Sequence, residues 1–372
     1  MKIGIDVFGC DHGMSGIGSY LRSLIANLPA DSHFQFEIFG PEIDRYTYTS
    51  VRRDINYRSL HPFGGMALNQ LWHQNHANRV IQLSQYDATL FPAASRVLPP
   101  SFKVPGVAVI SDILSINLKN SSHWLGTHIT KSLSKVNRIV ATSQYIRKDL
   151  ISLSLDPNKI EVVYHGIDHS LFYPRGDIDM ENTDIKPFAV QRPYLIYASR
   201  ISGAAKKHIE LIRGFNEFKK KTGLPHRLVL AGSSDKESKT LRQEIAASPV
   251  ACDILLTGFF PHTSLPLLYA CAAGCVFPAI NEGVGLPVIE AMASGIPVAC
   301  TRSGALPEIA GSHAVYFDPD SASDTALAIE KILTDNAFRE KVCVTGLEWT
   351  KRFSWKQTAE ETVGILKKAV TE

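Results

Sequence analysis

The chain has 372 residues, 45% of them hydrophobic and 20% charged, with a formal net charge of +3. That length exceeds one ordinary core, so about two domains are expected, and the composition excludes a disordered polymer. So small a charge gives no electrostatic footing for nucleic-acid binding.

The opening residues, MKIGIDVFGC, lack the apolar run and cleavage site of a secretion signal and read as a first β-strand. The longest apolar stretch, Leu265 to Ile280, is interrupted by Pro266, Gly274 and Pro278. It falls short of the roughly 20 residues a membrane-spanning helix needs and reads as a buried helix followed by a strand. A cytoplasmic protein is expected. Cysteines stand at 10, 252, 271, 275, 300 and 343; Cys271 and Cys275, one helical turn apart in an apolar segment, read as buried free thiols.

In chain order, strands are expected at Lys2–Val7, Phe34–Phe39, Ala88–Pro92, Val107–Ile110, Arg138–Ser143 and Ile160–Tyr164. Helical periodicity falls between them at Gly18–Leu28, Ala67–Leu83 and Ser143–Leu153. The pattern lapses between Pro174 and Pro193, where PRGDIDMENTDIKP carries four acidic residues and little apolar periodicity, as a linker does. It restarts with a strand at Tyr194–Ala198 and a helix at Lys207–Lys220. Strands follow near Leu228–Ala231, Ile254–Thr257, Val276–Pro278 and Pro297–Cys300. Such alternation predicts an α/β protein of two doubly wound, Rossmann-like domains: residues 1–175 and 193–352, joined by a linker over 176–192. Residues 353–372 read as an amphipathic helix. Ligands of open parallel sheets bind at the carboxyl ends of the strands, so the site is expected in the cleft between the domains.

The segment from Asn281 to Gly295, NEGVGLPVIEAMASG, carries the strongest chemical signal. It follows a strand; Gly283 and Gly285 leave the backbone open to a ligand, Pro287 suits a first helical turn and Gly295 a helix stop. A helix start offers free N–H groups to an anion such as a diphosphate. Glu282 and Glu290 can accept hydrogen bonds from sugar hydroxyls. The alternative is a strand–turn–helix with solvated glutamates, against which stands a glutamate in an otherwise apolar helix face. The second signal is Arg200 after a strand, with Lys206 and Lys207 opening the next helix, where cations oppose the helix dipole unless an anion binds there.

Together these segments resemble family 4 of the glycosyltransferases, the retaining group built on the GT-B fold. LPLLYACAAG and the stretch through SGALPEIAG resemble the family's C-terminal core. NKIEVVYHGID resembles its approach to the linker, and SGIGSYLRSLI its glycine-bearing first loop and helix. The spacing of Glu282 and Glu290 is the most specific part. The resemblance implies that Arg200 and Lys206 hold the donor diphosphate and that Glu282 faces the transferred sugar. The backbone of Gly283, Val284, Gly285 and Leu286 would lie beside sugar and phosphate, and Gly258 near the donor. Glu290 would bind the ribose, while Gly16 and Gly18 would close over the phosphate. It further implies that the C-terminal helix packs back on the N-terminal domain, and that no metal or other cofactor is needed, the nucleoside diphosphate sugar being a co-substrate.

Ser111-Asp112 stands where many relatives carry His-Asp, so the imidazole that the family sets near the reacting carbon is missing here, and Asp112 or a neighbour such as His123 would cover part of its role. His73 and His76 are expected at the surface or in an acceptor cleft rather than on zinc. Arg45, Arg52, Arg53 and Arg58 among Tyr46, Tyr48 and Tyr57, and separately Trp124, Lys131, Lys135 and Arg138 in a helical region, could meet a lipid-linked diphosphate acceptor or an anionic membrane at its inner face. A solvated basic surface is the other reading of both. The expected activity is transfer of a hexose to a hydroxyl of a glycan or lipid-linked acceptor, with mannose from GDP-mannose first and UDP-hexoses next. The rivals are a sugar-nucleotide epimerase and a catalytically idle sugar-nucleotide-binding homologue, the latter favoured by Ser111. A nicotinamide dehydrogenase is disfavoured by the missing third glycine after Gly16-Ile17-Gly18.

Overall fold

The computed structural model describes residues 1–61, 66–120, 123–176, 185, 189–233, 238–261 and 263–372. The chain forms two compact units, residues 1–166 with 353–372, and residues 167–352. Most of the expected linker, 177–184 and 186–188, lies outside the described residues.

In the first unit the strands are β1 (Lys2–Asp6), β2 (Gln35–Pro41), β3 (Asn56–Leu60), β4 (Ala88–Phe91), β5 (Gly106–Ile110), β6 (Arg138–Ala141) and β7 (Ile160–Val162). They pair in parallel in the order β3-β2-β1-β4-β5-β6-β7. β4 and β5 are buried along their whole length, as strands covered on both faces must be, which explains their continuous apolar runs. Its helices are α1 (Gly16–Ala26), α2 (Arg45–Thr49), α3 (Met66–Leu83), α4 (Leu114–Asn120), α5 (His123–Lys135) and α6 (Gln144–Ser152). α1 starts two residues earlier than its periodicity suggests because the Ser15 hydroxyl caps it, accepting the Gly18 N–H at 3.3 Å.

In the second unit the strands are β8 (Tyr194–Ala198), β9 (Arg227–Ala231), β10 (Ile254–Gly258), β11 (Gly274–Phe277), β12 (Val298–Thr301) and β13 (Val315–Phe317), ordered β10-β9-β8-β11-β12-β13 and all parallel. Its helices are α7 (His208–Thr222), α8 (Ser238–Ala247), α9 (Leu265–Ala270), α10 (Leu286–Ala293), α11 (Leu306–Ala310), α12 (Ala322–Thr334) and α13 (Asn336–Thr350). α7 buries Leu211, Ile212, Phe215 and Phe218 and stops at Gly223, whose φ of 64° a glycine adopts without strain.

The last helix, α14 (Trp355–Thr371), completes the first unit. Val363, Ile365 and Leu366 join one core with Ile3, Leu21 and Val107, and each buried aliphatic side chain contributes about 1.5–3 kcal/mol before ordering costs. Gly166 makes the return possible: a Cβ there would lie 2.0 Å from the Trp355 backbone nitrogen.

Two short strands, β3 and β13, escaped the sequence pattern because they sit at sheet edges, where half-exposure permits polar sequences such as NYRSL. β3 also changes the reading of the basic stretch. Arg45 pairs with Glu42 at 2.8 Å, Arg52 with Asp54 at 3.0 Å and Arg58 with Glu37 at 2.6 Å, while Tyr48 is a core residue. Three of its four arginines are paired with carboxylates at a sheet edge, and Arg53 is exposed, so the stretch is not a bare cationic face. The second basic group does not lie on one helix: Arg138 opens β6, gives a hydrogen bond to the Asn158 carbonyl at 2.7 Å and pairs with Glu372. Lys135 donates to the Pro100 carbonyl at 2.9 Å. The side chains of His123 and Trp124 lie outside those described. None of the described helices is long and apolar enough to cross a membrane.

Candidate functional site

In the second unit the strand order reverses between β8 and β11, so the loops leaving these two strands diverge and open a crevice at their carboxyl ends. The loop after β8 carries Arg200 and a short 3-10 turn, Ala204–Lys206; the loop after β11 carries Asn281 to Gly285 and runs into α10. A backbone bond holds the two loops together, the Ile280 N–H donating to the Ala205 carbonyl at 2.8 Å, and the Tyr197 hydroxyl on β8 anchors its own loop by donating to the Lys206 carbonyl at 2.7 Å.

Across this crevice Lys206 Nζ lies 2.9 Å from Glu282 Oε2, with their side chains 28% and 17% exposed. The pair is half sheltered yet still reachable by a ligand. Arg200 is exposed, and among the described residues no hydrogen bond or ion pair engages its guanidinium. An anion entering here meets one free cation and one that can be drawn from Glu282.

The backbone of the Glu282 loop is shaped by glycines. Gly285 precedes α10 with φ 76°, and Asn281, though not glycine, holds φ 59°. Gly304, which the sequence reading passed over, packs under the loop: a Cβ on it would fall 2.1 Å from the Glu282 carbonyl oxygen. The Ala305 N–H donates to that same oxygen at 2.7 Å, and the Asn281 N–H to the Ser303 hydroxyl at 3.0 Å. Glu282 is thereby aimed by β12 as much as by β11.

Glu290 lies on the inner face of α10 and is 9% exposed. It is not a solvated carboxylate. Burial pushes its acid up from 4.5 to about 7, with the neighbouring Tyr269 hydroxyl opposing the rise. Gly258 ends β10 with φ 70° and open space where a Cβ would be, and Phe259 beside it is 69% exposed. Gly232, at the end of β9, lets the backbone of Ser199 pass 1.9 Å from where its Cβ would stand. Phe259 and Gly232 also lay beyond the sequence reading. A single exposed phenylalanine and an isolated glycine carry no periodic signal.

Lys207 corrects the expectation that two adjacent lysines face an anion. It takes the left-handed conformation, φ 52° and ψ 36°, and its Nζ turns to Asp320 at 2.6 Å and Glu210 at 3.3 Å. The Asp320 hydrogen bond raises its pKa further. Protein carboxylates, not a ligand, settle its charge.

The remaining predicted residues belong to the first unit. Gly16 opens α1 with free space around it, whereas Gly18 is a packing glycine whose Cβ would meet the Cys10 carbonyl oxygen at 2.5 Å. Ser111 and Asp112 follow β5, half-buried, with Asp112 accepting the Ser95 hydroxyl at 3.3 Å. His73 departs from expectation: it is fully buried, 2.5 Å from Asp6 and packed against the Phe8 ring, while the exposed His76 stacks on Trp72. Among the described residues no three His, Cys, Asp or Glu side chains gather as metal ligands.

Residues 179–346 match the family described as glycosyl transferases group 1, and residues 14–171 match glycosyltransferase family 4. The chain is a family 4-like GT-B glycosyltransferase. Similar proteins include the O-antigen chain mannosyltransferase B of Escherichia coli, 27% identical over 67% of this chain and 65% of that protein. The D-inositol 3-phosphate glycosyltransferase of a Nocardioides species is also 27% identical, over 63% of this chain and 54% of its own length. The chain thus spans between about half and two thirds of these relatives' own lengths. Among solved structures, Anabaena HepE in complex with UDP and glucose superimposes with a TM-score of 0.74 at 18% identity, covering 99% of this chain and 100% of that one. Sucrose-phosphate synthase of Thermosynechococcus elongatus gives 0.78 at 17% identity, over 99% and 98%. These establish the two-sheet fold for this GT-B glycosyltransferase.

Proposed function

We propose that the protein is a retaining hexosyltransferase. It takes a hexose from a nucleoside diphosphate sugar and places it on an acceptor hydroxyl in surface polysaccharide or glycolipid synthesis. The observation that carries this is the Lys206–Glu282 pair beside the exposed Arg200 at the reversal of the second sheet. A donor diphosphate satisfies Arg200 and draws Lys206 from Glu282, whose freed carboxylate then accepts from the sugar hydroxyls. Glu290 receives the ribose hydroxyls. As the bond between the sugar's anomeric carbon and the phosphate breaks, Arg200 and Lys206 neutralise the charge growing on the leaving nucleoside diphosphate, in the role a divalent ion takes elsewhere. The acceptor oxygen bonds to the same face of that carbon, and its proton passes to the departing phosphate.

Mannose from GDP-mannose is the first donor to test, supported by the mannosyltransferase of Escherichia coli; UDP-hexoses come next, supported by the nucleotide seen in HepE. A thermal-shift panel of GDP, UDP, ADP and dTDP with their sugars tests the donor. A ligand at a hundred times its Kd adds about 2.7 kcal/mol. With the donor so chosen, Arg200→Ala and Lys206→Ala each cut turnover on the order of a hundredfold. Near-normal rates in both variants would sink the assignment. A second reading, a binder without turnover, is favoured by Ser111, whose hydroxyl cannot supply an imidazole; a thermal shift with no transfer to any acceptor would select it.

A further inference from the structure

Lys206 and Lys207 are neighbours in sequence but their ammonium groups reach opposite ways, one to Glu282 and the other to Asp320. The reversal comes from Lys207. It joins the 3-10 turn Ala204–Lys206 to α7 with its N–H donating to the Ala204 carbonyl at 3.2 Å and its carbonyl receiving the Leu211 N–H at 3.0 Å. Between these bonds its φ is 52°, a conformation that a side chain disfavours and glycine would adopt freely. Something must hold a lysine there. Its side chain is 13% exposed and ends on Asp320 Oδ1 at 2.6 Å, with Glu210 at 3.3 Å.

Asp320 has an exposed side chain, 65%, on a braced backbone. It lies between β13 and α12, where the Asp320 N–H donates to Asp318 Oδ1 at 3.0 Å and the Asp318 N–H to Asp324 Oδ2 at 2.7 Å. The Ser321 hydroxyl accepts the Asp324 N–H at 3.2 Å, capping α12. The loop is tied to a helix that packs along α7. A strut from this loop to Lys207 acts on the peptide that joins it to Lys206, whose carbonyl is held on its other side by the Tyr197 hydroxyl.

We infer that Lys207 and Asp320 are positioning residues that hold Lys206 toward the Glu282 crevice, so that its ammonium is in place before a diphosphate arrives. The inference rests on the proposed role of Lys206 at the donor diphosphate. An ordinary surface ion pair would contribute little to anything, so the two roles separate cleanly in experiment.

The probes are GDP and UDP, titrated by calorimetry into the full chain. Asp320→Asn is expected to weaken the tighter of the two about fivefold with an unchanged melting temperature, since preorganisation is lost but no core contact is. Asp320→Glu restores most of that affinity. The deciding comparison is a double-variant cycle: in the Lys206→Ala background, Asp320→Asn should cost nothing more. Full additivity, or wild-type affinity in Asp320→Asn while Lys206→Ala weakens binding, would overturn the strut and leave the reading of Lys206 standing. If Lys206→Ala itself has no effect on either nucleotide, the role of Lys206 falls and the strut falls with it.

Discussion

Glu290→Gln is the perturbation that tests the second unit most directly. In the folded protein burial raises this carboxyl from 4.5 to about 7, so the native state binds the proton more tightly than the unfolded chain does. A raised pKa stabilises the fold fully below about pH 4.5, and the contribution is lost as pH rises through about 7. One pKa unit is worth about 1.4 kcal/mol, so the whole loss is about 3 kcal/mol, of which about 2.5 falls between pH 5 and pH 8. Hydrogen exchange of the α10 amides, corrected for the pH dependence of intrinsic exchange, reads this as declining protection in the wild type. Glutamine does not titrate, so the variant's profile should be flatter by about that amount. Bound donor should act in the opposite sense. Ribose hydroxyls donating to the carboxylate favour its charged form, so nucleotide affinity rises with pH across the same window in the wild type and not in Glu290→Gln. Parallel stability profiles for the two proteins would refute the burial argument; a shared rise in affinity would refute the ribose contact.

Two further perturbations address the frame around the sites. Gly304→Ala forces a Cβ against the Glu282 backbone at a φ of 64°, and should lower the stability of the second unit by about 1–3 kcal/mol while weakening nucleotide binding, measured by urea unfolding and calorimetry. Wild-type values in both would show that Gly304 does not set the loop. In the first unit, His165 is buried between Tyr20 and Trp355, and burial alone lowers its pKa from 6.5 to about 3. The unfolded chain then binds the proton first, so stability present above pH 6.5 is lost on acidification, by about 2 kcal/mol between pH 7 and pH 5. His165→Phe keeps an aromatic ring in the stack and should flatten that loss in the exchange of α1 and α14; an unchanged acid limb would overturn it.

The alternation of apolar runs with helix-period segments was enough to read both sheets, because strands covered on two faces must be apolar and the helices covering them amphipathic. Elements at the edges, β3 and β13, carry no such pressure and stayed hidden. The same contrast holds at the site. The glycines and glutamates from Glu282 to Glu290 were legible as a strand–loop–helix, since those demands are local to fifteen residues of chain. What Glu290 experiences was not, because α10 turns it inward and the fold sets the Tyr269 hydroxyl beside it. Gly304 could not be connected to Glu282 by any spacing rule.

The two lysines show where the division falls. Sequence alone placed cations after β8, and chemistry alone said that they need anions. Which anion each one meets was settled by partners 76 and 113 residues further along the chain, Glu282 for Lys206 and Asp320 for Lys207. His73 found Asp6 across 67 residues in the same way. Periodicity reports how much of a residue is covered, since every neighbour that covers it is apolar and interchangeable. A charge needs one particular partner at hydrogen-bond distance, and only the packed sheets bring that partner there.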